Sequence, residues 1–340
     1  MRADFCAFIL THGRPDRVHT YETLMRAGYT GKVFIVIDDE DKTADDYRRR
    51  FGDKVLQFCK ADVAARIDEG DNFNDRRAII YARNACWDLS RQVGCKYFIQ
   101  LDDDYTNFII RHNSKLEYHS GIVTQNLDGV LAALVDFYAT TSAAAVAMSQ
   151  GGDHIGGGGI AGKGGQGNPS LRRKCMNTFI CSVERPFQFV GRINEDVNTY
   201  TSAGRRGVLF LTVIQAQVNQ LATQSNAGGM TSLYLDGGTY LKTFYSVMYA
   251  PSCVKVGQMG DPRSPHYRIH HKINWHNTAP KILREEWRQP RQGEPRNPPP
   301  SPARPGPCPP AENSAALPVP SGTISEPPSK RKGAASKPPP

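Results

Sequence analysis

The regular alternation of short, β-rich apolar runs with helical patterns over the first 150 residues limits this chain to few folds. The runs FCAFIL, KVFIVI, VLQFC, KYFIQL and AAAVAM predict strands at residues 5–10, 32–37, 55–59, 96–101 and 143–148. Apolar residues at helical spacing predict helices within 14–28, 75–94 and 124–141, and Gly28 and Gly94 are suitable stops for the first two. Strand–helix–strand units of this spacing indicate an α/β fold with a mostly parallel sheet.

The pattern becomes less regular after residue 150. Residues 151–174 are so rich in glycine that we predict a flexible loop, flanked by Arg172, Arg173 and Lys174. MNTFICSV and VLFLTV predict strands, GRINEDVNTYTSAGRRG predicts a loop followed by a helix, and segments 239–257 and 266–277 predict late strands of mixed character. Residues 289–340 contain 17 of the 24 prolines and no aromatic residue, so we predict one domain at 1–288 and a disordered, Pro-rich basic tail at 289–340.

Charge and cysteine usage narrow the class of protein. The net charge of +9 divides into +4 for the tail and +5 for residues 1–288, so nucleic acid is a plausible partner that charge alone does not establish. The eight cysteines include no CxxC pair, which predicts reduced, mostly buried thiols in an intracellular protein without structural zinc. No signal peptide and no membrane-spanning segment is predicted.

Three adjacent carboxylates, Asp102, Asp103 and Asp104, follow the predicted strand KYFIQL and need a counter-charge. In an extended segment Asp102 and Asp104 project to the same side. Carboxylate oxygens are preferred ligands of Mg²⁺ and Mn²⁺. The alternative is a solvated loop, because aspartate is common in turns.

The order of motifs carries a family resemblance. THGRPDRVHTYETLMRAGYTGKVFIVIDDEDK, then ARNACWDLSRQVGCKYFIQLDDDY, then GRINEDVNTY and the late RIHHKINW resemble a nucleotide-sugar glycosyltransferase of the GT-A fold. More closely, residues 1 to about 288 resemble the TET/JBP-associated glycosyltransferases of phages and some eukaryotes, which are related to the base J glucosyltransferase. The resemblance implies a Rossmann-like nucleotide half, a DxD metal motif and an acceptor-side extension that contains an acidic pair.

The same resemblance implies an activity: metal-dependent transfer of a hexose from a UDP-sugar to 5-hydroxymethylpyrimidine in DNA, with inversion at the anomeric carbon. The cofactor would be Mn²⁺ or Mg²⁺. The location would be cytoplasmic in a phage or bacterial source and nuclear in a eukaryotic one. Three alternatives stay open: a protein, glycan or small-molecule acceptor, an inactive DNA- or partner-binding module, and a nucleotidyltransferase. This sequence has no GGxGTR-type loop after the first strand, which disfavours the nucleotidyltransferase.

Individual residues take roles from their matches to the family's motifs. The nucleotide-sugar site would comprise Thr11, His12, Gly13, Arg14, Asp39, Arg83, Asn84, Asp102 and Asp103. The metal ligands would be Asp102 and Asp104, completed by His270 or His271.

Asp196 is the first choice for the general base that takes the acceptor proton, and Glu195 is the second. Each assignment has a structural alternative. Arg83 and Asn84 could instead form a salt bridge or lie at the surface, and Glu195 could instead stabilise the start of a helix through the helix dipole. His270 and His271 are adjacent on a predicted strand, so we expect them to face opposite sides and not to serve one site together.

Overall fold

The computed structural model describes residues 1–115, 117–154, 171–221, 238, 240–260, 263 and 267–288. All of these belong to one compact unit, Met1–Pro305. Most of the predicted Gly-rich loop (155–170) and the whole predicted tail (289–340) lie outside the described residues.

A nine-stranded sheet forms the centre of this unit, in the order β3-β2-β1-β4-β8-β7-β9-β5-β6. Its strands are β1 Phe5–Leu10, β2 Lys32–Asp38, β3 Val55–Phe58, β4 Tyr97–Asp102, β5 Tyr105–His112, β6 Tyr118–Val123, β7 Ala143–Gln150, β8 Phe179–Ser182 and β9 Leu209–Gln220. Neighbours among the first four strands in that order are all parallel, as are β7 and β9, whereas β8, β5 and β6 add antiparallel pairs. The predicted α/β fold is confirmed, with one parallel half and an extension that adds the antiparallel pairs.

Helices cover both faces of the sheet. They are α1 His19–Arg26, α2 Ala44–Phe51, α3 Lys60–Ala64, α4 Ile80–Gln92, α5 Leu127–Thr140, α6 Glu195–Gly204, α7 Leu241–Tyr249 and α8 Trp275–Thr278. Short 3₁₀ turns occur at Pro15–Arg17, Gly52–Lys54, Gly151–His154 and Glu285–Trp287. The predicted stops are confirmed, because Gly28 and Gly94 follow α1 and α4 with φ of +80° and +68°.

Strand β1 shows why the run FCAFIL contains no polar residue. Phe5, Ala7 and Ile9 join the core under α1, α2 and α5, while the residues between them join the core under α3, α4 and α6. Both faces of the strand are therefore buried, as expected of a parallel strand between two helical layers. Six of the seven described cysteines are buried, as predicted.

One segment was not predicted and another differs from its prediction. The residues after the aspartate triplet form the hairpin β5–β6, and β5 also pairs antiparallel with β9. Residues 241–249, predicted as a strand, form α7, which buries Thr243, Tyr245 and Ser246. Tertiary packing of this helix overrides the strand preference of its aromatic and β-branched residues.

A second, two-stranded antiparallel sheet follows α7, formed by β10 Val254–Met259 and β11 Arg268–Ile273. We call these two strands the ribbon. No helix among the described residues has the length and apolar character needed to cross a membrane.

Candidate active site

The polar side chains predicted to act together lie at one edge of the sheet. Strands β1, β2 and β4 are parallel neighbours, so their carboxyl ends meet there. Leu10 pairs with Asp102, which makes the following residues Thr11 and Asp103 neighbours. Helix α6 presents Glu195 and Asp196 from its first turn to the same region.

Asp103 receives its counter-charge from the loop after β1. Its Oδ2 accepts hydrogen bonds from the Thr11 hydroxyl at 2.6 Å and from Arg14 Nε at 2.7 Å. Burial raises the pKa of Asp103, against the opposing effect of Arg14. Asp103 therefore fixes the loop that carries Thr11 to Arg14. A nucleotide that contacted the Asp103 side chain would have to compete with Thr11 and Arg14.

Asp102 receives its counter-charge from helix α4. Arg83 Nη2 donates to Asp102 Oδ1 at 3.0 Å, and Arg83 Nε donates to Glu195 Oε1 at 2.8 Å. The guanidinium is 2% exposed and lies over the rings of Phe179 and Phe189. Burial alone would lower the pKa of Arg83, but the two carboxylates raise it above its usual value. Arg83 thus joins the end of β4 to the start of α6.

Asp104 differs from the other two aspartates in its hydrogen bonding. Its Oδ1 is buried and has no hydrogen-bond partner among the described residues. Burial, together with the nearby charges of Asp102 and Asp103, raises the pKa of Asp104 to about 7. The carboxylate therefore lies where a positive charge would be stabilised.

A divalent cation fits this position. Mg²⁺ commonly takes one or two protein carboxylates together with substrate phosphates, and Asp104 with Asp102 supplies that pair. Within the described part of the chain, no group of three or more His, Cys, Asp or Glu side chains is arranged to hold a metal. The histidines predicted to complete the sphere are thus not joined to the aspartates in this structure.

Those histidines occupy a cationic environment on β11. Burial lowers the pKa of His270 to about 4 and that of His271 to about 3, and the charges of Lys174 and Lys242 contribute to both shifts. The ring centroids are 4.1 Å apart. The expectation that the two side chains face opposite sides is therefore wrong for the rings, because alternation along a strand fixes only the Cβ directions.

Asp196 lies beside Glu195 in the first turn of α6. Its Oδ1 accepts the Val197 backbone N–H at 2.7 Å. Burial and the charge of Glu195 raise the pKa of Asp196 to about 6. The ammonium of Lys242, on α7, interacts electrostatically with both carboxylates. Asn194 precedes them with a left-handed φ of +63°, and its side chain donates to Ser246 Oγ at 2.7 Å, so α7 fixes the turn that aims them.

The loop after β1 makes a second set of contacts, to β2. His12 Nδ1 lies 2.8 Å from Asp38 Oδ2, and the Gly13 N–H donates to Asp41 Oδ2 at 2.8 Å. The hydrogen bond to Asp38 raises the pKa of His12. Gly13 has a φ of +69° and no atom within 4 Å of the place a Cβ would take, so a ligand can approach its backbone closely.

Two predicted site residues make contacts that serve the fold. Asn84 Oδ1 accepts the Phe189 N–H at 3.0 Å and its Nδ2 donates to the Phe189 carbonyl at 3.1 Å. These bonds fix the segment before α6. Asp39 is exposed, and its Oδ1 accepts the Lys60 N–H at 2.8 Å, at the start of α3.

The structure adds residues that the sequence reasoning missed. Lys60 Nζ lies 2.9 Å from Asp38 Oδ1, and Arg192 Nε lies 2.5 Å from Asp71 Oδ2. Burial would raise the pKa of Asp38, but His12 and Lys60 lower it. Lys60 directly follows the predicted strand 55–59, and Arg192 lies three residues before Glu195 in GRINEDVNTY. These positions beside predicted site residues were the signals available in the sequence.

We expect the Arg83 bridge to be a major source of stability. Arg83→Met leaves the buried Glu195 and the partly buried Asp102 without their partner and is expected to cost about 3–5 kcal/mol of unfolding free energy. Arg91→Met is the matched control, because Arg91 lies on the same helix and pairs with Asp88 at the surface at 3.0 Å. Solvent screens that pair, so its loss should cost under about 1 kcal/mol. Urea unfolding measures both, and equal losses would contradict a bridging role for Arg83.

A family model described as TET-Associated Glycosyltransferase matches residues 5–229. The crystal structure of glucosyl-3-phosphoglycerate synthase from Mycobacterium tuberculosis, in complex with Mg²⁺ and uridine diphosphate, is similar with a TM-score of 0.40 and 8% sequence identity, over 80% of this chain and 88% of that chain. No curated protein sequence matches this chain. The family match includes the three aspartates and the acidic pair and ends before the ribbon.

Proposed function

This chain belongs to the TET-associated glycosyltransferase family, and we propose that it transfers a hexose from a UDP-sugar to 5-hydroxymethylpyrimidine in DNA. The observation that carries the proposal is the Arg83 bridge, which joins Asp102 to Glu195. It places the aspartate triplet and the acidic pair at one edge of the sheet. A direct transfer requires the donor site and the general base to lie next to each other.

The donor would lie over the carboxyl ends of β1, β2 and β4. The loop from Thr11 to Arg14 offers backbone N–H groups and a guanidinium, which suit a diphosphate. The open space above Gly13 supports this placement. Asp39 would contact the uracil or the ribose, since it is exposed at the end of β2.

A divalent cation would be held by Asp104 and Asp102. When bound, it would stabilise the negative charge that develops on the departing diphosphate. The unpartnered Oδ1 of Asp104 supports this role. One of His270 and His271 remains proposed as a further ligand, although the positive charges of Lys174 and Lys242 act on both rings.

Asp196 would act as the general base. The acceptor hydroxyl oxygen would bond to the anomeric carbon as the bond from that carbon to the diphosphate oxygen breaks, and Asp196 Oδ2 would take the hydroxyl proton. The Val197 N–H holds the other oxygen. Glu195 is engaged with Arg83, which supports an orienting role for it and leaves Asp196 as the base. A direct displacement of this kind inverts the anomeric configuration.

The test of the proposed function is a transfer assay followed by nucleoside mass spectrometry. The purified protein, with Mn²⁺ or Mg²⁺, is incubated with a panel of UDP-sugars and duplexes that contain 5-hydroxymethylcytosine or 5-hydroxymethyluracil. We expect one added hexose on a hydroxymethylated nucleoside and none on unmodified DNA. Turnover only with protein, glycan or small-molecule acceptors would overturn the DNA assignment, and no turnover with any acceptor would favour an inactive binding module.

The pH dependence of this reaction follows from Asp196. A base must be ionised to accept a proton, and the pKa of Asp196 is about 6. We therefore expect kcat/KM to be constant above about pH 7 and to fall about tenfold per unit below pH 6. A pH–rate profile measured with saturating metal checks this. A rate that is flat down to pH 4.5 would remove Asp196 from the proton transfer.

We also propose the extent of the catalytic domain as residues 1–288. The family match ends at residue 229, but α7 orients the turn before Asp196 through Ser246. The catalytic domain must therefore include α7 and the strands packed against it. The Pro-rich segment 289–340 is proposed to be dispensable for folding, since it has no aromatic residue to build a core.

A further inference from the structure

Positive charge is concentrated in one part of the folded region. Residues 1–239 contain 27 Lys and Arg and 27 Asp and Glu, so their net charge is zero. Residues 240–288 contain eight Lys and Arg and only three Asp and Glu. The whole net charge of the region before the tail therefore comes from a segment of 49 residues, which includes α7, the ribbon and α8.

The ribbon places several of these cations on one face. Lys255 pairs with Lys272, Gly257 with His270, and Met259 with Arg268. Directly opposite residues of an antiparallel pair share a face, so three cations line one side of the ribbon. Lys255, Lys272 and Arg268 are all exposed.

The pairing of two lysines is unfavourable in the free protein. Like charges directly opposite each other on a sheet are destabilising, and residues 240–260 and 267–284 contain no Asp or Glu that could neutralise them. A polyanion lying across the ribbon would remove this repulsion. The ribbon face is therefore complementary to a polyanion.

A basic cleft continues this face at the base of the ribbon. The cleft has a volume of about 730 Å³ and is lined by Arg205, Arg206 and Lys281, with Ser252 and Asn277 between them. Arg205 Nη1 donates to Ser252 Oγ at 3.0 Å, and Ser252 lies just before β10. Arg205 of the cleft is thus joined to the segment that leads into the ribbon.

This surface also leads towards the acidic pair of the site. Helix α7 packs against Val254 and Ile273 at the base of the ribbon through Val247 and Ala250. Lys242, on the same helix, interacts electrostatically with Asp196 and with Arg268. A ligand bound along the ribbon would therefore extend towards Asp196, the proposed general base.

We propose that the ribbon and the basic cleft bind the phosphate backbone of duplex DNA, with the ribbon in the major groove next to the base to be modified. This inference rests on the proposed function, because it assigns the DNA acceptor a place on the protein. The 5-substituent of a pyrimidine lies in the major groove, where thymine carries its methyl group. A hydroxymethyl group at that position therefore faces the groove that the ribbon occupies.

The dimensions agree with this placement. A two-stranded ribbon fits the major groove, which is about 12 Å wide. The Lys255–Lys272 pair and Arg268 lie four residues apart along the strands, or about 13 Å at roughly 3.3 Å per residue. That length corresponds to about four base pairs of B-DNA. The major groove of A-form RNA is too narrow for side chains to enter, so DNA is the better fit.

The test compares two double variants of the full chain with equal loss of charge. K255Q/K272Q removes the paired lysines, and K54Q/K115Q removes two exposed lysines from the Gly52–Lys54 turn and from the β5–β6 connection. Binding of an unmodified 20-base-pair duplex is measured by fluorescence anisotropy over a range of salt concentrations. Each lost phosphate contact should lower the slope of log K against log salt by about 0.9.

We expect K255Q/K272Q to weaken duplex binding roughly 10- to 100-fold at 0.1 M salt and to lower the salt slope by about 2. K54Q/K115Q should change neither quantity appreciably. The thermal midpoint of K255Q/K272Q should be unchanged or higher, since a repulsive pair is removed, so misfolding would not explain the loss. Affinity for UDP with Mn²⁺ should be unchanged, because neither Lys255 nor Lys272 is among the residues proposed to hold the donor or the cation.

Several results would overturn the inference. Equal weakening in the two double variants would show a nonspecific effect of charge. Tighter binding of an RNA duplex, or of an acidic protein, through the same lysines would assign the surface to another partner. Full transfer to hydroxymethylated DNA and normal DNA binding in K255Q/K272Q would overturn the ribbon inference and leave the proposed function standing. Ribbon-dependent DNA binding without any transfer to DNA would support the ribbon inference and overturn the proposed function.

Discussion

Replacing Asp196 by asparagine is expected to lower kcat by roughly 10²–10⁴-fold, the usual effect of losing a general base. Asparagine has nearly the same shape, and it still offers an oxygen to the Val197 N–H. The Kd for the UDP-sugar should stay nearly unchanged, because the donor contacts come from β1, β2 and β4. Steady-state kinetics and calorimetric titration with UDP and Mn²⁺ measure the two quantities separately.

Glu195→Gln is the matched control for this variant. Glu195 is tied to Arg83 at 2.8 Å, so its neutralisation leaves a buried guanidinium short of one carboxylate. We expect Glu195→Gln to lower the free energy of unfolding more than Asp196→Asn does and to reduce kcat less.

Three results would contradict this division of roles. A collapse of UDP binding in Asp196→Asn would place Asp196 in the donor site. Normal kcat in Asp196→Asn together with an inactive Glu195→Gln would exchange the two roles. Retention of the anomeric configuration in the product, read by NMR, would exclude the direct displacement.

Replacing Asp104 by asparagine is expected to abolish transfer and at the same time to stabilise the metal-free protein at pH 8. The pKa of Asp104 is about 7, so the side chain is mostly ionised at pH 8. It lies beside two other aspartates, and its buried Oδ1 has no hydrogen-bond partner in the part of the chain that the structure describes. A neutral amide relieves that repulsion and removes a proposed metal ligand. Activity assays and thermal unfolding with and without Mn²⁺ measure both effects.

The sign of the stability change separates this proposal from a structural role for Asp104. Wild-type protein should gain stability when Mn²⁺ and UDP are added, whereas Asp104→Asn should start from a higher midpoint and gain little. Asp103→Asn is the contrasting variant, because Asp103 binds Thr11 and Arg14, and it should lower the midpoint. A lower midpoint in metal-free Asp104→Asn, or wild-type activity unaffected by EDTA, would contradict a cation site at this position.

The order of motifs was enough to propose donor and acceptor residues, but it did not predict the contacts between them. Arg83 and Asn84 are adjacent in the sequence and were given the same role. In the structure Arg83 bridges Asp102 and Glu195, while Asn84 bonds to the Phe189 backbone. Successive residues on a helix point about 100° apart, so neighbours in sequence reach different parts of the molecule.

The sequence by itself determined the strands and helices of the first half, because buried parallel strands leave continuous apolar runs such as Phe5–Leu10 and glycines mark the helix ends. It also showed that Asp102, Asp103 and Asp104 share one strand end. Only the tertiary structure decided which of them receives a counter-charge, since the partners Arg14 and Arg83 lie 88 and 19 positions away along the chain from Asp102. It also decided that residues 241–249 form a helix and that Lys255 faces Lys272. Such features depend on packing and charge between distant segments, which local sequence preference does not encode.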